Sequence, residues 1–229
     1  MDFLLNLLFP KFCIGCNTIG YYVCPRCFKK FEFIRTQKCP YCLIENSAGK
    51  THDQCLERGG IDGEYSILVY SGLTKIFIKD IKYRRIYSVL SDFFQLLPNN
   101  VTQKIIEAVK IYKIDYIQPI PLHPLRQKVR GFNQSEHIAK RLSCVVNIPI
   151  ISILSRTINT FPQAQIEKKE DRKKNIQGAF QYTGDDFYAN KNILLIDDLF
   201  TSGNTSKEAA IVLKRKGIGK VFVLTLAHG

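Results

Sequence analysis

The chain lacks any apolar run approaching the roughly 18 unbroken residues of a membrane-spanning helix. Its opening FLLNLLF is short, has no basic residue before it and runs into Pro10, Lys11 and Cys13 rather than a small-residue cleavage site, so it does not read as an export signal. These absences predict a cytoplasmic protein. The opening stretch is read as a short helix packed on the core, with a seat on the inner face of the membrane as the alternative. Two common nucleotide signatures are missing too: no G-x-x-x-x-G-K-[ST] marks a P-loop, and no strand-borne G-x-G-x-x-G supports a dinucleotide site. Neither an internal repeat nor a low-complexity tract is present. Acids are scarce, 20 against 33 basic residues, for a formal charge of +13. Such a field attracts phosphates of any kind and leaves nucleic acid, nucleotides, anionic lipid or a merely solvated surface open.

What is present suffices for a real core. With 229 residues, 45% hydrophobic, the chain fits one medium domain plus a small appendage. A change of composition near residue 60 divides an expected zinc-binding module, 1–60, from an expected α/β domain, 61–229.

Seven of the 8 cysteines precede residue 56. They fall as Cys13-x-x-Cys16, Cys24-x-x-Cys27, Cys39-x-x-Cys42 and His52-x-x-Cys55. A two-residue gap puts two ligands on one side of a tight turn, at two corners of a tetrahedron, and two such knuckles complete one zinc site. Chain order favours Cys13, Cys16, Cys24 and Cys27 for one ion, and Cys39, Cys42, His52 and Cys55 for the other; interleaved pairing stays open. A reducing compartment disfavours disulfides. His52 could also be an ordinary loop histidine. Closed four-ligand sites leave no position for a substrate, which makes the zinc structural. Cys144, alone in KRLSCVV, is read as a core residue of a helix.

From about residue 64 strands and helices alternate. YSILVY reads as an edge or hairpin strand, and residues 74–96 carry apolar side chains at helical spacing. Strand DYIQPIPL (115–122), a helix over 133–146, strand PIISIL, a polar loop over about 156–177, strands GAFQY and NILLI, a helix over 204–216 and strand KVFVLTL follow. Continuous apolar strands between amphipathic helices predict a parallel sheet covered on both faces, with ligands bound beyond the carboxyl ends of its strands.

At one such end ILLIDDLFTSGNTS delivers Asp197 and Asp198. Thr201, Ser202, Gly203, Asn204 and Thr205 then form a turn that opens a helix, where backbone N–H groups and hydroxyls converge on an anion. Carboxylates beside that pocket would repel a bare phosphate, so they need sugar hydroxyls or a metal carried by the ligand. A phosphorylated sugar satisfies both halves. The plain alternative is one acid capping the helix and the other solvated.

ILLIDDLFTSGNTS resembles the signature of type I phosphoribosyltransferases, which bind 5-phosphoribosyl-1-pyrophosphate (PRPP). The resemblance implies that Asp197 and Asp198 meet the ribose hydroxyls and that Thr201 to Thr205 wrap the 5-phosphate. PIPLHPLRQKVRGFNQSEHIAKRL, LSRTINTFPQAQIEKKEDRKKNIQGAF and the acid-pair motif, in this order behind a cysteine-rich amino terminus, resemble the ComF family of competence-associated proteins over nearly the whole chain. His52 departs from the cysteine usual there, and Ser202 is a mild change in the phosphate loop.

Cleaving the anomeric bond of PRPP leaves positive charge on ribose and negative charge on pyrophosphate. The acid pair would favour the first electrostatically, while Mg²⁺ and cations would hold the second. Arg126, Lys128 and Arg130 follow strand DYIQPIPL at the same sheet edge, and Arg130 is the first choice because a guanidinium grips two oxygens at once. The polar loop is expected to close over PRPP with Arg172 and Asn175 positioned by the next strand. Arg156 and Gln163 belong to the family pattern. Lys79 and Lys82 either face the same opening or are solvated.

The leading expectation is a PRPP-binding protein that assists natural transformation, handling single-stranded DNA beside the uptake machinery; the resemblance supplies that context. Aromatics near the knuckles (Tyr21, Tyr22, Phe28, Phe31, Tyr41) could stack on bases, though a small core for the zinc module is the simpler reading. An active transferase with an unidentified acceptor and a PRPP-sensing regulator without chemistry are the alternatives.

Overall fold

A computed structural model describes residues 10–56, 60–83, 86–160 and 169–229, and only the backbone of 83, 86–87, 169–170 and 172–173. Its strands are β1 (Gly63–Val69), β2 (Tyr116–Pro119), β3 (Leu154–Arg156), β4 (Phe180–Tyr182), β5 (Ile193–Phe200) and β6 (Val221–His228). Four form one sheet in the order β1-β6-β5-β2, every pair parallel. The first four residues of β5 are apolar and buried on both sides, as a central parallel strand requires.

Helices α1 (Gly72–Tyr83), α2 (Ile86–Leu96), α3 (Asn99–Tyr112), α4 (Pro124–Arg130), α5 (Gln134–Val146), α6 (Lys169–Ile176) and α7 (Asn204–Arg215) complete the domain. Leu194 and Ile196 face a core built with residues of α1, α2, α3 and α5, whereas Ile193 and Leu195 face Ala209, Ala210 and Leu213 of α7. Alternation along β5 thus assigns helices to both faces, the doubly covered parallel sheet read from the sequence.

The amino-terminal residues are knitted into this core. Phe28 and Phe31 are buried against Phe93, with Phe31 and Phe93 ring centres 5.4 Å apart. Asp92 accepts hydrogen bonds from Tyr22 N (2.7 Å) and Val23 N (3.3 Å). Edge strand β1 is covered as well: Phe33 bridges Leu68, and the Gln37 amide serves both Ser66 N and Ser66 O. An edge sealed in this way presents no template for foreign strands.

Several local expectations need correction. The 74–96 segment is two helices with residues 84–85, outside the described set, between them. PIISIL makes only the bridge of Ile150 to Ile117 before the chain leaves the sheet, and β3 pairs antiparallel with β4 in a separate ribbon. GAFQY is therefore not part of the parallel sheet. Helices α3 and α4 went unexpected, and α6 lies inside what reads as a polar loop. Cys144 is exposed, because α5 buries the stripe of Ser135, Ile138, Ala139 and Leu142 instead. No helix among the described residues is long and apolar enough to cross a membrane.

Candidate functional site

The carboxyl ends of β2 and β5 open onto a cavity of about 370 Å³ lined by Lys82, Arg126, Arg130, Gln134, Ser135 and Arg156, by the acid pair and by Thr201 to Ser206. Asp197 Oδ1 accepts from Ser135 Oγ at 3.1 Å and from Asp198 N at 2.9 Å. Asp198 is buried; Lys82 Nζ lies 2.8 Å from its Oδ2, and Gln134 Nε2 points at its Oδ1 from 3.5 Å. The α5 entry positions both partners: Asn133 Oδ1 caps through Ser135 N while Asn133 Nδ2 donates to Ile120 O. Asn133 thus caps and ties α5 to the chain leaving β2 at once.

Burial and the neighbouring Asp198 charge push the Asp197 carboxyl up to about 7, against the opposing pull of Lys82. Burial disfavours the Lys82 ammonium, yet Asp198 outweighs it and the lysine pKa is raised. Asp197 is therefore the member of this cluster that changes charge near neutrality, while Lys82 stays cationic.

Beyond β5, Gly203 takes φ 69° and caps α7. A Cβ there would collide with the Phe200 ring, so glycine is required by space and by conformation. The loop amides converge at the amino end of the 12-residue α7, where the helix dipole favours an anion. Asn204 Nδ2 is buried without a hydrogen-bond partner among the described residues, a donor suited to a ligand oxygen.

Cations ring the remaining wall. Arg126 and Arg130, one turn apart on α4, both line the cavity, whereas Lys128 is exposed and does not. Arg130 Nη1 donates to Gln134 Oε1 at 2.6 Å. Arg126 Nη2 bonds Thr160 O, and Arg156 Nη2 bonds Thr160 Oγ1. Burial, and then the nearby Arg126 charge, lower Arg156 to about 10, so it stays cationic at neutral pH. Of the two lysines, Lys82 faces the cavity and Lys79 is exposed. Gln163 lies outside the described residues, as does the Arg172 side chain; Asn175 does not line the cavity. Sequence reasoning missed Gln134 and Ser135, although their place one turn after Arg130 was a usable signal.

Two tetrads of candidate metal ligands lie outside the lining of this cavity. Cys13, Cys16, Cys24 and Cys27 hold their ligand atoms within 4.8 Å of one another, and so do Cys39, Cys42, His52 and Cys55. Cys16 and Cys24 sulfurs are 3.6 Å apart, and Cys42 Sγ lies 3.3 Å from His52 Nδ1. A tetrahedral zinc with sulfurs at about 2.3 Å spaces them by about 3.8 Å, so the donors fit zinc. Hydrogen bonding from Thr18 pulls the Cys16 thiol down to about 5, towards the thiolate a metal takes. The candidate donors cluster in chain order and are not interleaved.

A family model described as "Double zinc ribbon domain" matches residues 4–56. Competence protein F of Haemophilus influenzae is 32% identical over 114 residues, 49% of this chain and 49% of that protein, so the match spans about half the length of that relative. Competence protein ComFC of Streptococcus pneumoniae is 27% identical over 90% of this chain and 87% of its own, and ComFC of Bacillus subtilis 27% identical over 85% and 79%. Among solved structures, a purine phosphoribosyltransferase from Pyrococcus horikoshii aligns with 57% of this chain and 71% of its own at 18% identity and a TM-score of 0.35.

Proposed function

We propose that the chain is a ComF-type competence-related protein, as its likeness to the ComFC proteins over most of its length and its amino-terminal double zinc ribbon support, and that its cavity binds PRPP. The observation that carries this reading is the meeting of two opposed demands in one cavity. The acid pair suits a sugar diol, and the glycine-turned loop at the start of α7 suits a phosphate. A bare anion would be repelled by the first and a neutral sugar would leave the second unused. Arg126, Arg130 and Arg156 supply the charge that a pyrophosphate, brought with Mg²⁺, requires. The acids would accept the ribose hydroxyls only when ionised, which Lys82 promotes.

We further propose natural transformation as the setting in which this binding serves, a reading supported by the likeness to competence proteins. Single-stranded DNA is the proposed macromolecular partner, held by the chain's excess of 13 positive charges. Calorimetric titration with PRPP and Mg²⁺, on native protein and on the Asp197→Asn/Asp198→Asn variant, tests the pocket. Saturable binding lost in the variant supports it, and no binding to the zinc-loaded native protein removes it. Assaying pyrophosphate in the same samples separates a transferase, which releases it when given an acceptor, from a sensor that leaves PRPP intact.

A further inference from the structure

Helix α7, whose first turn forms the phosphate loop, gives one stripe to the second zinc ribbon and the segment leaving it. Lys207 Nζ sits 4.6 Å from the centre of the Tyr41 ring, and Tyr41 lies between the ligands Cys39 and Cys42. One turn on, a Cβ at Gly60 would stand 2.9 Å from Ile211 N, so that strand-entry segment lies directly on the helix backbone. Another turn on, Lys214 Nζ pairs with Asp62 Oδ2 at 2.7 Å. Positions 207, 211 and 214 follow an i, i+4, i+7 spacing, which is one face of a helix.

The first of these contacts reaches the loop itself. Lys207 Nζ donates to Ser202 O at 3.1 Å, closing the turn that runs from Thr201 to Thr205. The Tyr41 ring lies against that ammonium, and its hydroxyl is fixed by Ile61 N at 3.1 Å. Thr51 ties the ribbon to the same segment through Asp62 O and Ile61 O. Zinc at Cys39, Cys42, His52 and Cys55 would fix the turn that carries Tyr41, because both neighbours of the Pro40-Tyr41 pair are ligands. We propose that the second zinc ribbon is a buttress of the phosphate loop: Tyr41 holds Lys207 on Ser202 O, so the metal state of the ribbon sets the rigidity of the loop in the sheet domain. Tyr41 and Lys207 are positioning residues in this arrangement. The buttress needs no ligand to exist; only its consequence, tighter PRPP binding when the second site is loaded, rests on the proposed function.

Hydrogen exchange of the ligand-free, zinc-loaded full chain tests it. Amides of 201–206 should exchange about tenfold faster in Tyr41→Leu and Lys207→Met, near the native rate in Tyr41→Phe, which keeps the ring, and in Lys207→Arg, which keeps the charge. Amides of α5 serve as the control for general loosening and should not change. His52→Ala, with zinc content falling by one ion per chain, should reproduce the Tyr41→Leu pattern. Unaltered exchange at 201–206 in Tyr41→Leu, or equal acceleration in α5, overturns the proposal. A PRPP titration on the same samples keeps the two ideas apart. Exchange that responds while native protein ignores PRPP removes the ligand reading alone, and PRPP binding with an unresponsive loop removes the buttress alone.

Discussion

Lys82 Nζ lies 2.8 Å from Asp198 Oδ2, so a helix of the amino-terminal half of the sheet domain supplies the counter-charge for acids on its central strand. Asp197 beside them is pushed up to about 7 by burial and by Asp198. Its ordinary value is 3.8, so this group contributes stability below about pH 4 that is lost as pH rises through about 7. Ligand affinity runs the opposite way, because a sugar diol needs the ionised acid. PRPP binding should strengthen roughly tenfold between about pH 6 and 8, the span over which one such group ionises. Asp197→Asn separates this effect from the ligand's own titration: its residual pH dependence is the ligand's. Lys82→Met should move the midpoint upward by about one unit, as loss of a close opposite charge does. Calorimetry across pH reads both, and an unmoved midpoint removes the role given to Lys82.

Arg126 and Arg130 share one face of α4 while Lys128 points away. A charge-assisted hydrogen bond to phosphate is worth about 1.5–3 kcal/mol, or roughly 10- to 100-fold in affinity. Arg130→Ala should therefore weaken PRPP by that factor and leave ribose 5-phosphate, which has no pyrophosphate, nearly unchanged. Lys128→Ala should alter either by less than about twofold. Equal losses for both ligands in Arg130→Ala would instead place the arginine against the 5-phosphate.

Much of this was legible from the chain alone, for reasons that particular residues make plain. Asp197 and Asp198 follow four buried apolar residues and precede a turn needing Gly203, so strand, edge and loop are encoded within 14 consecutive positions. Both metal tetrads were legible because two-residue gaps leave little geometric freedom. PIISIL misled because Ile153 and Leu154 are apolar for burial in the second core cluster, while the ladder that Leu154 enters is the antiparallel one with β4 and not the parallel sheet. The reach of Lys82 into the site, and of Lys207 to Tyr41, depends on contacts between residues 116 and 166 positions apart, which no local pattern displays.

The first zinc tetrad should be structural for the whole chain, not for its own loop. Its knuckle carries Tyr22 N and Val23 N to Asp92 in α2, and Leu73 of α1 packs on its cysteines. Stripping zinc with a chelator should lower the melting temperature by about 10 °C or more, with ribbon and sheet domain melting together. Cys13→Ser should do the same at one zinc per chain. Two separate transitions, the second at the native temperature, would show that the ribbons hang free of the core.

Single-stranded DNA, if the ribbons hold it by stacking, must use aromatic faces that remain available. Phe28 and Phe31 are not: Phe31 packs edge-on against Phe93 and Phe77, and Phe28 lies tilted against Phe93, all in the main core. Tyr21 is, at 50% exposure on a ribbon turn. Phe28→Ala should thus cost about 3–5 kcal/mol of stability, read by denaturant melts, and leave DNA affinity of the folded fraction unaltered. Tyr21→Ala should leave stability within about 0.5 kcal/mol and weaken DNA by the roughly 1–3 kcal/mol of one stacked base. Backbone contacts make their own mark, since log affinity falls linearly with log salt at about 0.7 per neutralised phosphate on a single strand. A Tyr21→Ala variant with unchanged affinity and an unchanged, steep salt slope would assign DNA binding to the basic surface alone.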